Sequence, residues 1–299
     1  MFVQIRNILG SLCDKVELSR DRDLKATMSA YDRTKNLGFF RDATVTWLSG
    51  RFDSTPQSLM LAISLLDRFL GIVSVKAKYL KCLAATCYYI AAKTTQESKE
   101  ALSSKKIARL CDYQFSAPDI VRMERIVLNK LNFDVNAITP LHFIQVFHMA
   151  CLKADFLKGT GRTHEEHLRA VVRRLQFCAQ DYRFLTYRAS TLALALFMTE
   201  CKQLPEFDWL TVSLNLQTAS QIPGRELSIC FEEVQEFFLK RDMERLARHK
   251  AAHLRLGSSG EEDRDSKEKP RICHRRQMSK SCRGEAELLI ESDTEVFVV

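Results

Sequence analysis

Turn-forming residues are scarce in this sequence: its 299 residues include only 10 glycines and 6 prolines. A β-sandwich or barrel needs a turn signal every ten or so residues, so this scarcity argues against a β-rich fold and favours long helices. Also missing is any run of roughly 18 apolar residues, the length a helix needs to cross a bilayer. Met1 to Arg6 has no basic stretch, apolar run or small-residue cleavage site of the secretory kind. The expectation is a soluble chain without a membrane partner that is not secreted. The ten cysteines form no Cys-x-x-Cys pair, and they read as reduced, mostly buried thiols of the nucleus and/or cytoplasm, with no disulfide framework and no metal. Absent too are a G-x-x-x-x-G-K-[ST] loop, a G-x-S-x-G elbow and an H-E-x-x-H helix. No catalytic residue, cofactor or small-molecule substrate is therefore expected, and the chain is not read as an enzyme.

What is present is a 46% hydrophobic chain, enough to bury one large core or two ordinary ones. The net charge of +8 is uneven: eight basic and ten acidic residues follow Leu256, leaving the remainder near +10. A basic body suits an acidic protein surface as well as nucleic acid. Phe40 to Gly50 reads as a short amphipathic helix. Pro56, in a first turn where its missing N–H is not needed, opens a second helix with a stripe at Leu59, Ile63, Leu66 and Leu70. Lys76 to Lys93 is apolar nearly all round and must be central. Ser103 to Cys111 forms a fourth helix, and Ser116 caps a fifth whose inward stripe is Ile120, Met123, Val127 and Leu131. Thr139-Pro140 then restarts the pattern with helices over Leu141 to Leu152, Thr163 to Tyr182, Tyr187 to Cys201, Leu210 to Thr218 and Arg225 to about Leu254. This predicts an all-α fold of two stacked five-helix repeats. The expected divisions are a helical extension over 1–35, a first repeat over 36–137, a second over 138–256, and a charged, serine-bearing tail over 257–299 that is too poor in apolar residues to order itself.

Four pieces of the chain, in order, resemble a cyclin box: Arg41 with Trp47-Leu48; Leu65-Leu66-Asp67-Arg68-Phe69-Leu70; Ala91-Ala92-Lys93; and Arg122-Met123-Glu124-Arg125 followed by Leu128, Leu131 and Thr139-Pro140. The resemblance covers about residues 36 to 155, and Phe184 to Glu200 resembles the central helix of a second box. Among cyclins the motifs are most similar to the cyclin G and cyclin I group. The resemblance implies the cyclin fold and a non-catalytic regulatory subunit that binds a cyclin-dependent kinase in cell-cycle or related signalling. It implies a structural ion pair between Arg41 and Asp67, and it makes Lys93 and Glu124 the side chains that reach the kinase backbone beside its movable helix. Where many cyclins carry a substrate-docking Met-Arg-Ala-Ile-Leu, this chain has Phe40-Arg41-Asp42-Ala43-Thr44. A docking patch would thus use Phe40, Thr44 and Trp47, with Asp42 and Thr44 bringing polar groups to it. Cyclins usually follow the lysine with a glutamate pair; here Thr94-Thr95-Gln96-Glu97 supplies one carboxylate.

Blander readings stand beside these. Lys93 suits a helix C-terminus whatever it touches, and Glu124 can pair with Arg122, Arg125 or Lys93. His164-Glu165-Glu166-His167 has the i, i+3 spacing of a metal pair but reads as a solvated helix start after Thr163, and Gly159-Thr160-Gly161 reads as a linker. An alternative function is a cyclin-fold adaptor for a non-kinase protein or nucleic acid, as in the transcription factor IIB family. Nucleic acid is disfavoured because Asp242 and Glu244 interrupt the basic residues of the last helix. In the tail, Arg275-Arg276-Gln277-Met278-Ser279 resembles a basophilic kinase site with Ser279 as acceptor, Lys267 to Arg276 is a weak nuclear-import candidate, and Phe297-Val298-Val299 could add as a strand to a PDZ domain.

Overall fold

A computed structural model describes residues 7–14, 37–95, 102–152, 157, 161–204 and 208–257, with side chains to residue 250. Ser279, the import candidate, the carboxyl-terminal Phe-Val-Val, the tail and most of the 1–35 extension lie outside the described residues, as does Glu97. Among the described residues the regular structure is helical, without strands. Helix α1 covers 7–14. A first set of five follows: α2 (Leu37–Arg51), α3 (Pro56–Ile72), α4 (Leu80–Thr95), α5 (Ser104–Leu110) and α6 (Ala117–Lys130). A second set comprises α7 (Pro140–Leu152), α8 (His164–Cys178), α9 (Ala189–Cys201), α10 (Trp209–Ala219) and α11 (Gly224–Gly257). The chain divides into two compact units, one holding everything described up to Gln235 and the other starting at Glu236 within α11.

Each set is built around one helix with almost no polar face. In α4, Leu80, Cys82, Leu83, Ala84, Ala85, Cys87, Ile90, Ala91 and Ala92 are all buried, and the helix packs against α2, α3 and α6. Helix α9 is buried along its whole length, with Ala193 and Ala195 letting neighbours approach closely, and α7, α8 and α10 lie against it. Side chains from the preceding turns satisfy the orphan N–H groups where these helices begin. Thr55 accepts from the Ser58 N–H ahead of α3. Ser116 and Asp119 form a reciprocal capping box at α6, and Thr163 and Glu166 do the same at α8.

Two expected helices are shorter than their patterns suggest. The Lys76 to Lys93 segment begins with a 3-10 turn at Ala77–Tyr79 before α4 proper. The Thr163 to Tyr182 segment stops at Cys178 and resumes as a 3-10 turn at Tyr182–Thr186. The second break carries one tertiary contact and one local one: the Tyr182 N–H donates to Asp42 Oδ1 of α2 at 2.9 Å, and Asp181 accepts from the Arg183 N–H at 3.1 Å as the cap of the new turn. Gly38 permits this approach, because a Cβ there would stand 2.7 Å from the Tyr182 ring.

Candidate functional site

Helix α4 ends in Ala91-Ala92-Lys93-Thr94-Thr95, with both alanines buried so that Lys93 emerges where the apolar pattern stops. Helix α6 runs alongside α4, turning Ile120, Met123 and Val127 inward and leaving Val121 and Arg125 exposed. Glu124 stands between these faces and forms an ion pair with Lys93 through Oε1 and Nζ. The Lys93 side chain is 42% exposed and that of Glu124 14%, so part of the pair faces solvent. The ammonium also lies 4.3 Å from the centroid of the Tyr89 ring, one turn earlier on α4, a cation–π contact that adds to its orientation. Tyr89 was not singled out from the sequence; its i−4 spacing from Lys93 was the available signal. Arg122, a rival partner for Glu124, instead reaches Asp119 at 2.8 Å. A half-exposed ion pair contributes only about 0–1 kcal/mol to folding, so stability gives this one little reason to exist.

The other charge pair sits in a different environment. Arg41 is fully buried and donates from Nε to Asp67 Oδ1 at 2.9 Å and from NH2 to Asp67 Oδ2 at 2.8 Å. This is a bidentate fork, the strong geometry for guanidinium and carboxylate. Its remaining nitrogen donates to the Ala179 carbonyl at 2.7 Å and to Asp42 Oδ1 at 3.0 Å. Arg41 thereby joins α2, α3 and the end of α8. Burial pushes the Asp42 carboxyl up to about 6, against the downward pull of Arg41.

The residues proposed for a docking patch are not presented alike. Phe40 is 40% exposed, Trp47 is half-buried edge-on against Phe52, and Thr44 is buried, its hydroxyl donating to the Phe40 carbonyl at 2.7 Å. Of the two polar groups expected there, Thr44 is buried and Asp42 is partly exposed. Thr44 satisfies its own helix, and Asp42 turns to Arg41 and the Tyr182 N–H. The apolar exposure at this end of α2 comes from Phe39 and Phe40, whose rings pack edge to face.

The solvated reading of His164 to His167 is corrected in part. Glu165 and Glu166 are exposed, but the helical repeat carries His164 and His167 inward over His148 of α7. The ring centroids lie 5.6 Å apart for His148–His167 and 5.9 Å for His148–His164, and His167 is fully buried. Cys201 Sγ of α9 is 3.8 Å from His167 Nε2. Among the described residues no group of three or more His, Cys, Asp or Glu side chains is arranged to hold a metal ion. The described cysteines are all buried but Cys13. Burial pushes Cys82 up to about 12 and Cys111 up to about 11, leaving little reactive thiolate at neutral pH. No described helix is long and apolar enough to cross a membrane.

Comparison with known proteins agrees with this architecture. The model of the cyclin N-terminal domain matches residues 15–136, and that of the cyclin C-terminal domain matches residues 138–259. Cyclin-G1 of Rattus norvegicus is 30% identical over 217 residues, spanning 71% of this chain and 73% of that protein. Cyclin-I2 of Homo sapiens is 26% identical over 244 residues, spanning 77% and 65% respectively. Among solved structures, a viral cyclin from herpesvirus saimiri superposes with a TM-score of 0.55 at 18% identity, covering 66% of this chain and 83% of its own, a likeness of fold. With both domain models matched in sequence and a relative aligned over most of its length, the chain belongs to the cyclin family, whose members act as regulatory subunits and not as enzymes.

Proposed function

We propose that this cyclin binds a cyclin-dependent kinase through the face where α4 and α6 meet, with Lys93 and Glu124 as its charged contacts, and so modulates the kinase. The observation that supports this most is the half-exposed Lys93–Glu124 pair on a preformed helical scaffold. A protein kinase needs the lysine of its third strand paired with the glutamate of its movable helix before the ATP phosphates are held correctly. A rigid partner that binds one position of that helix more tightly shifts the population toward it, with no catalytic group of its own. The ammonium suits a backbone carbonyl of the partner and the carboxylate a backbone N–H, charge-assisted bonds stronger than neutral ones. The burial of most of the described cysteines within helices fits a reducing compartment, so action in the nucleus and/or cytoplasm belongs to the same reading.

Exchanging the charges, Lys93→Glu with Glu124→Lys, keeps an attractive pair within the chain and inverts what a partner meets. Co-purification with cyclin-dependent kinases from cell extract is expected to fall at least tenfold for the exchanged protein, with helical circular dichroism and melting temperature unchanged. Undiminished kinase recovery would refute the assignment.

A further inference from the structure

Away from the α4–α6 face, the structure contains a second recess. A cavity of about 590 Å³ lies where α3, the 134–140 connection, the end of α8 and the start of α9 converge, with α1 closing one side. Its walls are largely apolar, from Leu12, Met60, Ile63, Leu175, Leu185 and Leu192. The size falls within the range of small-molecule sites, which combine apolar walls with a few polar groups. The uncharged polar groups here are Ser64, Asn136, Thr139 and Tyr187.

Two features decide what such a cavity would hold. The charged side chains on its wall are already engaged: Arg41 with Asp67, Arg68 with Asp134 at 2.9 Å, and Asp181 with Arg183 at 2.6 Å. Of these, Arg41–Asp67 is the buried pair: a charged ligand that drew on it would leave one buried charge uncompensated, and one that did not would leave its own charge poorly paired against apolar walls, and both are costly. The cavity is also propped open. Arg41 donates to Ala179 across the junction of the two helical sets, Tyr182 donates to Asp42, and Arg68 NH1 holds the Asp134 carbonyl at 2.8 Å. Closing the walls together would unmake these polar contacts, so the space persists at little further cost to binding.

We infer that this cavity between the two helical sets is a binding site for a neutral, largely apolar small molecule of drug-like size. The site is separate from Lys93 and Glu124, and a ligand in it touches both sets and fastens them together. The probe is Nile red, a neutral apolar dye, titrated into the purified full-length chain. One dye is expected to bind per chain, with blue-shifted emission, a Kd below about 10 μM and a raised melting temperature. Ser64→Trp and Ala137→Trp, which fill the cavity from two sides, are expected to weaken binding at least tenfold while helical content is retained. The Lys93→Glu/Glu124→Lys protein is expected to bind as the native chain does, so this inference and the kinase proposal can fail independently. Methionine methyl NMR locates the dye without any variant: the Met60 signal should shift, while those of exposed Met149 and Met243 stay in place. The inference is overturned if no dye binds, if both folded tryptophan variants bind undiminished, or if the exposed methionines move and Met60 does not.

Discussion

Arg41 is the side chain on which most of the long-range polar structure converges. It is buried, it makes a two-toothed contact with Asp67, and its remaining donor nitrogen is spent on Asp42 and the Ala179 carbonyl. Removing one member of a buried pair leaves an uncompensated charge, at a cost of about 3–5 kcal/mol. Asp42 still faces Arg41 at 3.0 Å, so Asp67→Ala is expected to lower unfolding free energy in urea by up to that amount, and Arg41→Met/Asp67→Leu to recover a substantial part of it. A single variant of unchanged stability would mean that the fork is not maintained in solution. Resemblance to a family was enough to name this pair from the sequence. The links from α2 to Ala179 and Tyr182 were not legible there, because they join positions 138 and 140 residues apart and no local periodicity marks such a contact. Thr44 shows the converse problem: a hydroxyl reads as surface chemistry, yet a helix can satisfy it at the i−4 carbonyl.

At the scale of the elements, helix starts are the most local feature of the structure and were the most readable. The Ser116–Asp119 and Thr163–Glu166 boxes satisfy N–H groups that would otherwise face water or go unpaired. Replacing Ser116 by alanine is expected to cost about 1 kcal/mol, read as a lower urea midpoint with an unchanged slope; a loss below a few tenths would show that Asp119 alone suffices as the cap. Helix ends were less readable, because a 3-10 turn keeps the apolar spacing of an α-helix over a few residues. At the break after Cys178 the carboxylate of Asp42 arrives from α2. The histidines of α8 were misjudged for a related reason: i, i+3 spacing places two side chains on one face but does not say whether that face meets water or α7.

Considered as a whole molecule, the second helical set has a titratable centre. His148 and His167 from neighbouring helices face each other, with His164, Arg162 and Cys201 close by and Glu200 3.5 Å from Arg162. Burial, then the neighbouring His148, Arg162 and His164, lowers His167 from its ordinary 6.5 to about 4; burial and His164 lower His148 as well. The unfolded imidazoles take up protons near 6.5 while folded His167 does not until about 4, so stability falls as pH drops through that window and is unaffected above it. Asp42 acts in the opposite sense, since its folded carboxyl binds a proton near 6 and its unfolded one only near 3.8. Comparing the native chain with His167→Leu cancels that contribution. Between pH 6.5 and 5, the native urea midpoint is expected to fall more steeply than that of the variant; parallel slopes would show that His167 carries no such penalty. Taken alone, the sequence determined the helical class, the two central helices, the helix starts at Ser103 and Ser116 and the identities of Arg41, Asp67, Lys93 and Glu124, because each is written in local spacing or in a short motif. Only the tertiary structure decided that Glu124 meets Lys93 and not Arg122, that three histidines share one interior, and that a cavity lies between the two helical sets. Those outcomes depend on which faces of separate helices are brought together, and packing in three dimensions has no period along the chain.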